Sequence, residues 1–418
     1  MKIAILTYGS RGDVQPYLAL ALGLQKAGHS VCLAAPHRFA DLAAQYCIPF
    51  APLPGDPEIL SAFMNDLRAH PLGATRSFVK YIYSVAGPVV QAASLACADA
   101  DLIVHSFFFT TAGHSLAHAL GIPDVSVQVI PMFAPTRAFP MIALPNVPPG
   151  NLSYFTHWLA NRIYWYGMNF GLRNLHNPAL PGNLNQKPHW AFDASCPIRT
   201  PLLLAFSPTV LPQPVDWTAP HIHVTGYLFL DSPAAYQPPP ELADFLAAGE
   251  PAVCVTFGSM VNREADRIDQ MLRAALAQAG QRGILLTGWG SKKNNEPHPD
   301  LFYLEAAPHD WLFSHCKMVI HHGGAGTTAA GLRAGIPNIV IPHGVDQWFW
   351  GKQVSAIGAG PAPMDLGKLS IEALAAAITR FNDPGMNARV KEVGSLIRAE
   401  DGVGEAVRQI EKHANAYH

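Results

Sequence analysis

Two series of short apolar runs alternate with helix-length stretches along the chain. The first comprises Lys2–Gly9, Ser30–Pro36, Asp101–Phe107 and Asp124–Pro131. The second comprises Pro251–Ser259, Gly283–Trp289, Phe302–Ala306, Lys317–His322 and Asn338–Pro342. Continuous apolar runs of this length fit strands buried on both faces, and a stretch such as PYLALALGLQKAG (Pro16–Gly28) is long enough for a crossover helix. Strands that alternate with helices build parallel sheets, so the pattern predicts an α/β chain with two doubly wound domains.

Proline marks the division. It recurs from Pro201 to Pro240, where a helix cannot run. The expected organisation is a first domain over 1–210, a linker over 211–245, a second domain over 246–395 and a C-terminal helix over 396–418. The stretch from Asn151 to His176 carries Trp158, Tyr164, Trp165, Tyr166 and Phe170 and reads as an aromatic helical insertion. It serves either core packing or the wall of a pocket.

Composition narrows the class. Of 418 residues, 49% are hydrophobic and 14% charged, against about 25% charged in ordinary globular chains, which excludes a disordered protein. A formal net charge of −2 without any Lys/Arg run argues against a nucleic-acid binder. Six scattered cysteines with no C-x-x-C pair read as reduced residues of a cytosolic protein, not as a disulfide framework or a zinc site. Arg11 and Asp13 interrupt the first apolar run, which is therefore a strand and not a signal peptide. The uncharged stretch Leu102–Pro123 contains His105, His114, His118 and Pro123 and is not a membrane span. Loose contact with a membrane surface stays open, because low charge leaves apolar surface to expose.

The sharpest local signal is KMVIHHGGAGTTAAGLRAGIP. A strand ends at His322, Gly323, Gly324 and Gly326 make a tight turn, and Thr327 and Thr328 open a helix. Amide groups exposed by glycine, at a helix end with partial positive charge, suit a phosphate or diphosphate. No Gly-Lys-Ser/Thr follows, so this is not a P-loop, and Ala329 breaks a G-x-G-x-x-G match. A glycine-tight turn with no ligand is the plainer alternative. After the next strand, Asp346 and Gln347 fall at its carboxyl end, where a carboxylate and an amide suit vicinal hydroxyls of a sugar. The first domain has its own turn, Gly9-Ser10-Arg11-Gly12, with Asp13 at a helix start. Asp13 is either a helix cap or a catalytic base. The second strand ends Ala34-Ala35-Pro36-His37 without an acid to hold a ribose, which counts against NAD. Asp99-Ala100-Asp101 is formally a D-x-D metal motif, but it precedes a strand far from the glycine turn.

These stretches resemble the GT-B glycosyltransferases of family one, above all the sterol 3β-glucosyltransferases and related bacterial antibiotic and lipid transferases. The matching segments include GSRGDVQPY (Gly9–Tyr17), HSFFFTTAGHSLAHALGIP (His105–Pro123), VTFGSM (Val255–Met260), TGWG (Thr287–Gly290), PHDWLF (Pro308–Phe313) and HHGGAGTTAAGLRAGIPNIVIPHGVDQWFWGKQV (His321–Val354). The resemblance implies two Rossmann-like domains facing an interdomain cleft, the first for an acceptor and the second for a nucleotide sugar. It also implies metal-independent transfer with inversion and no cofactor beyond the UDP-glucose co-substrate. Carried over, His322 contacts the donor diphosphate, Gly324, Gly326 and Thr327 cradle the phosphates, and Ser259, Ser10 and Gly12 add contacts. His309 joins the donor site, and Asp346 and Gln347 bind the sugar. Asp13 stands where plant members carry the catalytic histidine. Their ribose-binding glutamate is Ala330 here and their uracil-stacking tryptophan falls near Ala306, so Trp289 or Trp311 would have to stack, although Trp311 fits a core position equally well.

The resemblance assigns Asp13 as base, with a pKa lowered by the helix end. His105 occupies the register of the aspartate that polarises the plant histidine. Either Asp13 and His105 share the proton as a swapped dyad, or His105 is a buried core histidine. The expected enzyme moves glucose from UDP-glucose to a sterol or similar flat, apolar hydroxyl compound, in the cytoplasm or at the periphery of a membrane. The alternatives are a bacterial natural-product transferase with a polyketide, flavonoid or lipid acceptor and a donor open to another UDP or dTDP sugar, a catalytically inactive sugar-nucleotide-binding module and a sugar-nucleotide epimerase.

Overall fold

The structure is a computed structural model and describes residues 1–56, 71–142, 144, 147–174, 190–192, 199–232, 236–258, 265–288, 298–381 and 384–417. The chain divides into two compact units, Met1–Leu230 with Asp401–His418, and Asp231–Glu400.

In the first unit, seven strands form one parallel sheet in the order β3-β2-β1-β4-β5-β6-β7. They are β1 (Lys2–Leu6), β2 (Ser30–Pro36), β3 (Phe50–Leu53), β4 (Leu102–His105), β5 (Asp124–Gln128), β6 (Leu202–Leu204) and β7 (Ile222–Val224). Helices cover both faces, which is why β1 and β4 are apolar at consecutive positions. Ile3, Ile5, Leu102 and Val104 pack against α1 (Arg11–Lys26) and α13 (Gly402–Tyr417). Ala4, Leu6 and Ile103 pack against α3 (Pro71–Ala96) and α4 (Thr110–Leu120). Helix α2 (Ala40–Gln45) is short, and α5 (Asn151–Asn174) is the aromatic helix.

In the second unit, β8 (Ala252–Thr256), β9 (Gly283–Leu286), β10 (Leu301–Leu304), β11 (Cys316–His321) and β12 (Asn338–Val340) form a parallel sheet ordered β10-β9-β8-β11-β12. Val253, Val255, Met318 and Ile320 face α7 (Ala265–Gln278) and α11 (Ile371–Arg380). Cys254, Ile284 and Val319 face α6 (Pro240–Ala247) and α8 (His309–Phe313). The other helices are α9 (Ala325–Ala334), α10 (Val345–Ala356) and α12 (Pro384–Ala399). In both sheets the strand order reverses at the centre, between β1 and β4 and between β8 and β11. The carboxyl ends of such neighbouring strands are where open α/β sheets bind ligands.

The expected linker over 211–245 is corrected. Ile222–Val224 is an edge strand paired with β6, α6 begins at Pro240, and the change of unit falls after Leu230. Proline tolerates both roles, beside a short edge strand and at the first position of a helix. The helix expected over 396–418 is also two elements, because α12 stays with the second unit and α13 returns to the first. A Cβ at Gly402 would lie 2.3 Å from the Tyr227 carbonyl oxygen, so only glycine lets that return pack. Among the described residues, no helix is long and apolar enough to cross a membrane.

Candidate active site

In the second unit, β8 and β11 deliver their loops to one point. The His322 ring lies between two glycine backbones: a Cβ on Gly258 would come within 3.2 Å of its Cε1, and one on Gly324 within 2.5 Å of its Nε2. Gly323 has φ +91°, and a Cβ there would meet Val340 at 2.6 Å and the Gln347 carbonyl oxygen at 2.9 Å. These glycines are required by close approach, not by flexibility.

Behind the ring, His321 is fully buried, with Nε2 3.0 Å from Asn338 Oδ1 and Nδ1 accepting the Gly323 N–H at 3.1 Å. Burial, with His322 nearby, pushes the His321 imidazole down to about 3. Burial, then His343 and His309, push His322 down to about 3 as well. Both rings are therefore neutral at ordinary pH.

The helix that follows starts at this turn. Gly324 caps α9, and its first intrahelical bond runs from the Thr328 N–H to the Gly324 carbonyl at 2.9 Å. The amides of Ala325, Gly326 and Thr327 precede that bond and have no partner within the helix. Gly326 is exposed with open space where a Cβ would be, while Thr327 is buried. A neutral ring and three outward amides make an anion seat.

The structure treats the remaining predicted donor residues unequally. Gln347 spends its Oε1 on the backbone N–H groups of His343 and Gly344, at 2.7 and 2.8 Å, so that oxygen serves the helix start. Asp346 is half-buried beside it on the first turn of α10. His309 opens α8 and stacks on Phe313 at 4.6 Å. Trp311 is half-buried and packs against Tyr236 and His315, at 5.1 and 4.3 Å between ring centres. Ser259 and Trp289 lie outside the described residues.

In the first unit, α1 starts at Arg11 because Ser10 and Asp13 close a capping box. Asp13 Oδ2 accepts the Ser10 N–H at 2.8 Å and its hydroxyl at 3.0 Å. Gly9 has φ +141°, and a Cβ there would sit 2.3 Å from the same oxygen. Gly12 is exposed in the first turn. The expected lowering of the Asp13 pKa is reversed: burial raises it and outweighs the Ser10 bonds.

The proposed Asp13–His105 dyad is not formed. His105 is fully buried, and its Nε2 lies 2.8 Å from Asp124 Oδ2. The reason is strand parity. His105 points to the same face of β4 as Ile103, toward α4, whereas α1 covers the face of Leu102 and Val104. A Cβ at Gly113 of α4 would lie 2.8 Å from His105, which fixes the ring beneath that helix. The same Asp124 oxygen meets His114 Nδ1 at 3.0 Å, and Thr200 Oγ1 donates to Asp124 Oδ1 at 3.1 Å. Burial opposes the Asp124 charge, but the two histidines win and hold its carboxyl far below the carboxylate range. Asp124, His114 and Thr200 were not picked out from the sequence. The available signal was the alternation Asp124-Val125-Ser126-Val127-Gln128, a polar face in a strand expected to be apolar on both sides.

Beyond β4 and β5, aromatic rings collect at the carboxyl end of the first sheet. Phe107 stacks on Phe133 at 5.6 Å and meets Tyr164 at 5.0 Å, and Phe133 also meets Trp190 and Phe192. Phe133 holds φ +68°, an uncommon backbone for a bulky residue, in the middle of this cluster. Asp99 and Asp101 both bind Lys2, through its ammonium at 2.9 Å and its N–H at 2.7 Å, and so anchor β1.

The chain is 34% identical over 424 residues to a sterol 3-beta-glucosyltransferase of Arabidopsis thaliana, covering 99% of this chain and 68% of that protein. It is 35% identical to the O-mycaminosyltylonolide 6-deoxyallosyltransferase of Streptomyces fradiae, over 99% of this chain and 98% of that one. The chain belongs to the GT-B glycosyltransferases. Residues 3–137 match the glycosyltransferase family 28 N-terminal domain, and residues 295–411 the erythromycin biosynthesis protein CIII-like C-terminal domain. The fold is that of the glycosyltransferase of kitacinnamycin, at a TM-score of 0.72 and 18% identity over 99% of this chain and 98% of that one. A sterol glucosyltransferase of Emericella nidulans is 33% identical, but this glycosyltransferase spans only 30% of its length.

Proposed function

We propose that this glycosyltransferase moves glucose from UDP-glucose to the hydroxyl of a sterol or similar apolar acceptor, with inversion at the anomeric carbon and without a metal. The observation that carries the reading is the neutral His322 ring held against the open amides of α9. Such a seat stabilises the diphosphate as it leaves, by hydrogen bonds and helix-end charge. The acceptor's O–H gives its proton to the Asp13 carboxylate while its oxygen bonds to the anomeric carbon. The bond from that carbon to the diphosphate oxygen breaks in the same step. The raised pKa of Asp13 makes it a better base than an exposed carboxylate. Asp346 and the amide nitrogen of Gln347 are the sugar-hydroxyl contacts, and the rings of Phe107, Phe133 and Tyr164 supply an apolar acceptor wall.

A second reading keeps the mechanism and changes the acceptor, with the donor open to another UDP or dTDP sugar. The Streptomyces relative is named for 6-deoxyallosyl transfer to O-mycaminosyltylonolide and aligns along almost its full length, which favours a natural-product acceptor.

The test is UDP release from UDP-glucose with and without cholesterol or quercetin, followed by mass analysis. A gain of one hexose on cholesterol supports the first reading, and a gain on quercetin alone supports the second. No acceptor product from either sinks the UDP-glucose assignment.

A further inference from the structure

Helix α5 is inside-out. Its buried positions Ser153, His157, Asn161, Trp165 and Asn169 are spaced by four, and all but Trp165 are polar. Their needs are met by the protein itself: the Ser153 hydroxyl donates to the Thr136 and Phe139 carbonyls, and the His157 ring reaches the Phe139 carbonyl at 3.2 Å. Its outward positions include Leu152, Phe155, Trp158, Leu159, Ile163 and Tyr166, with Ile163 and Tyr166 each 65% exposed. An ordinary surface helix shows the reverse arrangement, because water favours polar groups outside. A largely polar inner row, broken by Trp165, and an apolar outer face fit a helix whose outer neighbour is not water.

Charge and composition identify that neighbour. No Asp or Glu occurs from Asn151 to Asn174, whereas Arg162 and Arg173 do. The Arg162 guanidinium lies 5.7 Å from the centre of the exposed Trp158 ring. Tryptophan, tyrosine and arginine beside aliphatic side chains are the residues of a bilayer interface, where rings sit at headgroup depth and cations meet lipid phosphate. From Leu152 to Tyr166 the stripe runs roughly 21 Å along the helix, enough to lie in the plane of a membrane surface. We infer that α5 docks this protein on an anionic lipid bilayer, with its outer stripe buried among the acyl chains and Arg162 at the headgroups. The inference does not depend on which sugar or acceptor the enzyme uses.

The full chain is floated on a density gradient with vesicles of phosphatidylcholine alone or mixed with phosphatidylglycerol. The wild type is expected to float with the mixed vesicles and less with the neutral ones. Phe155→Ser, Leu159→Ser and Ile163→Ser combined should cut flotation at least about tenfold. Arg162→Gln should lower only the preference for anionic vesicles, by roughly fivefold. Phe155, Leu159 and Ile163 are exposed and Arg162 is half-buried, and circular dichroism with melting checks the fold; Ile163→Ser alone is the reserve variant, with a smaller loss expected. Absence of flotation, or flotation unchanged by the triple exchange, overturns the inference. So does a wild-type dimer in sedimentation equilibrium that the triple exchange turns into a monomer, since a second copy would then be the neighbour.

Discussion

Asp13 binds the Ser10 N–H through Oδ2 at 2.8 Å, and the Ser10 hydroxyl goes to the same oxygen. One carboxyl therefore starts the helix and still offers Oδ1 to a substrate. Asn at this position keeps an oxygen for the Ser10 N–H and loses the basic site. Asp13→Asn is expected to lower kcat/KM by about 10²- to 10⁴-fold. Because burial raises the carboxyl's pKa, its protonated form stabilises the fold, and that contribution is lost as pH rises through the folded value. The variant should therefore melt no lower than the wild type at neutral pH. The acid limb of the wild-type rate profile should lie above the ordinary value of 3.8. A limb at or below that value, or full activity of the variant, would remove Asp13 as the base.

The Asp124 carboxylate is shared by His105 and His114 on the sheet face opposite α1. It is a structural charge centre, so His105→Gln should lower stability and leave kcat within about tenfold of wild type. Asp124→Asn, which leaves the buried His105 and the half-buried His114 without their shared carboxylate, should cost about 3–5 kcal/mol in urea unfolding. With the folded carboxyl pKa far below the unfolded one, that stabilisation is present above about pH 4 and lost as pH falls further. The gap between wild type and Asp124→Asn should close over the same range. A thousandfold loss of kcat in a stable His105→Gln protein would return His105 to the catalytic machinery.

The parts legible from sequence are those set by local pattern. Continuous apolar runs marked the central strands because each is covered on both faces, and glycines marked the His322 turn because a side chain at 324 would strike that ring and one at 323 would strike Val340. What stayed hidden depends on packing between distant segments. β7 is three residues long and is defined by its pairing with β6, and α13 joins the first unit through a contact at Gly402 that no periodicity announces. Asp13 read as a helix start, yet the Ser10–Asp13 box starts α1 at Arg11 and leaves Pro16 in its second turn. The polarity of Gln347 was readable, but the use of its oxygen as a helix cap was not.

Gly324 and Gly326 share a turn but differ in what surrounds them. A Cβ at 324 would strike His322 Nε2, whereas at 326 it would meet nothing within 4 Å. Gly324→Ala should displace the ring and raise the donor KM by about tenfold or more. Gly326→Ala, in the first turn of α9, should raise stability by about 0.5–1 kcal/mol. Thermal melts and donor titration of the two variants separate these effects. A donor KM unchanged in Gly324→Ala would detach His322 from the donor.

The two adjacent histidines give the second unit a pH signature. His321 titrates at about 3 in the folded chain and near 6.5 when unfolded, so the unfolded state binds more protons between those values. Stability is therefore lost as pH falls below 6.5, by about 1.4 kcal/mol for each unit from this one ring, until the folded value is reached. Between pH 7 and pH 5 in urea, His321→Asn should lose about 2 kcal/mol less than the wild type, the share of this one ring. His322, also neutral down to about 3, predicts something different for binding. A neutral ring holds the diphosphate by a hydrogen bond, so the donor KM should stay flat from pH 8 to about pH 5. A donor KM that tightens as pH drops through 6.5 would show that the ring becomes a cation in the complex, and the neutral seat would give way to an ion pair.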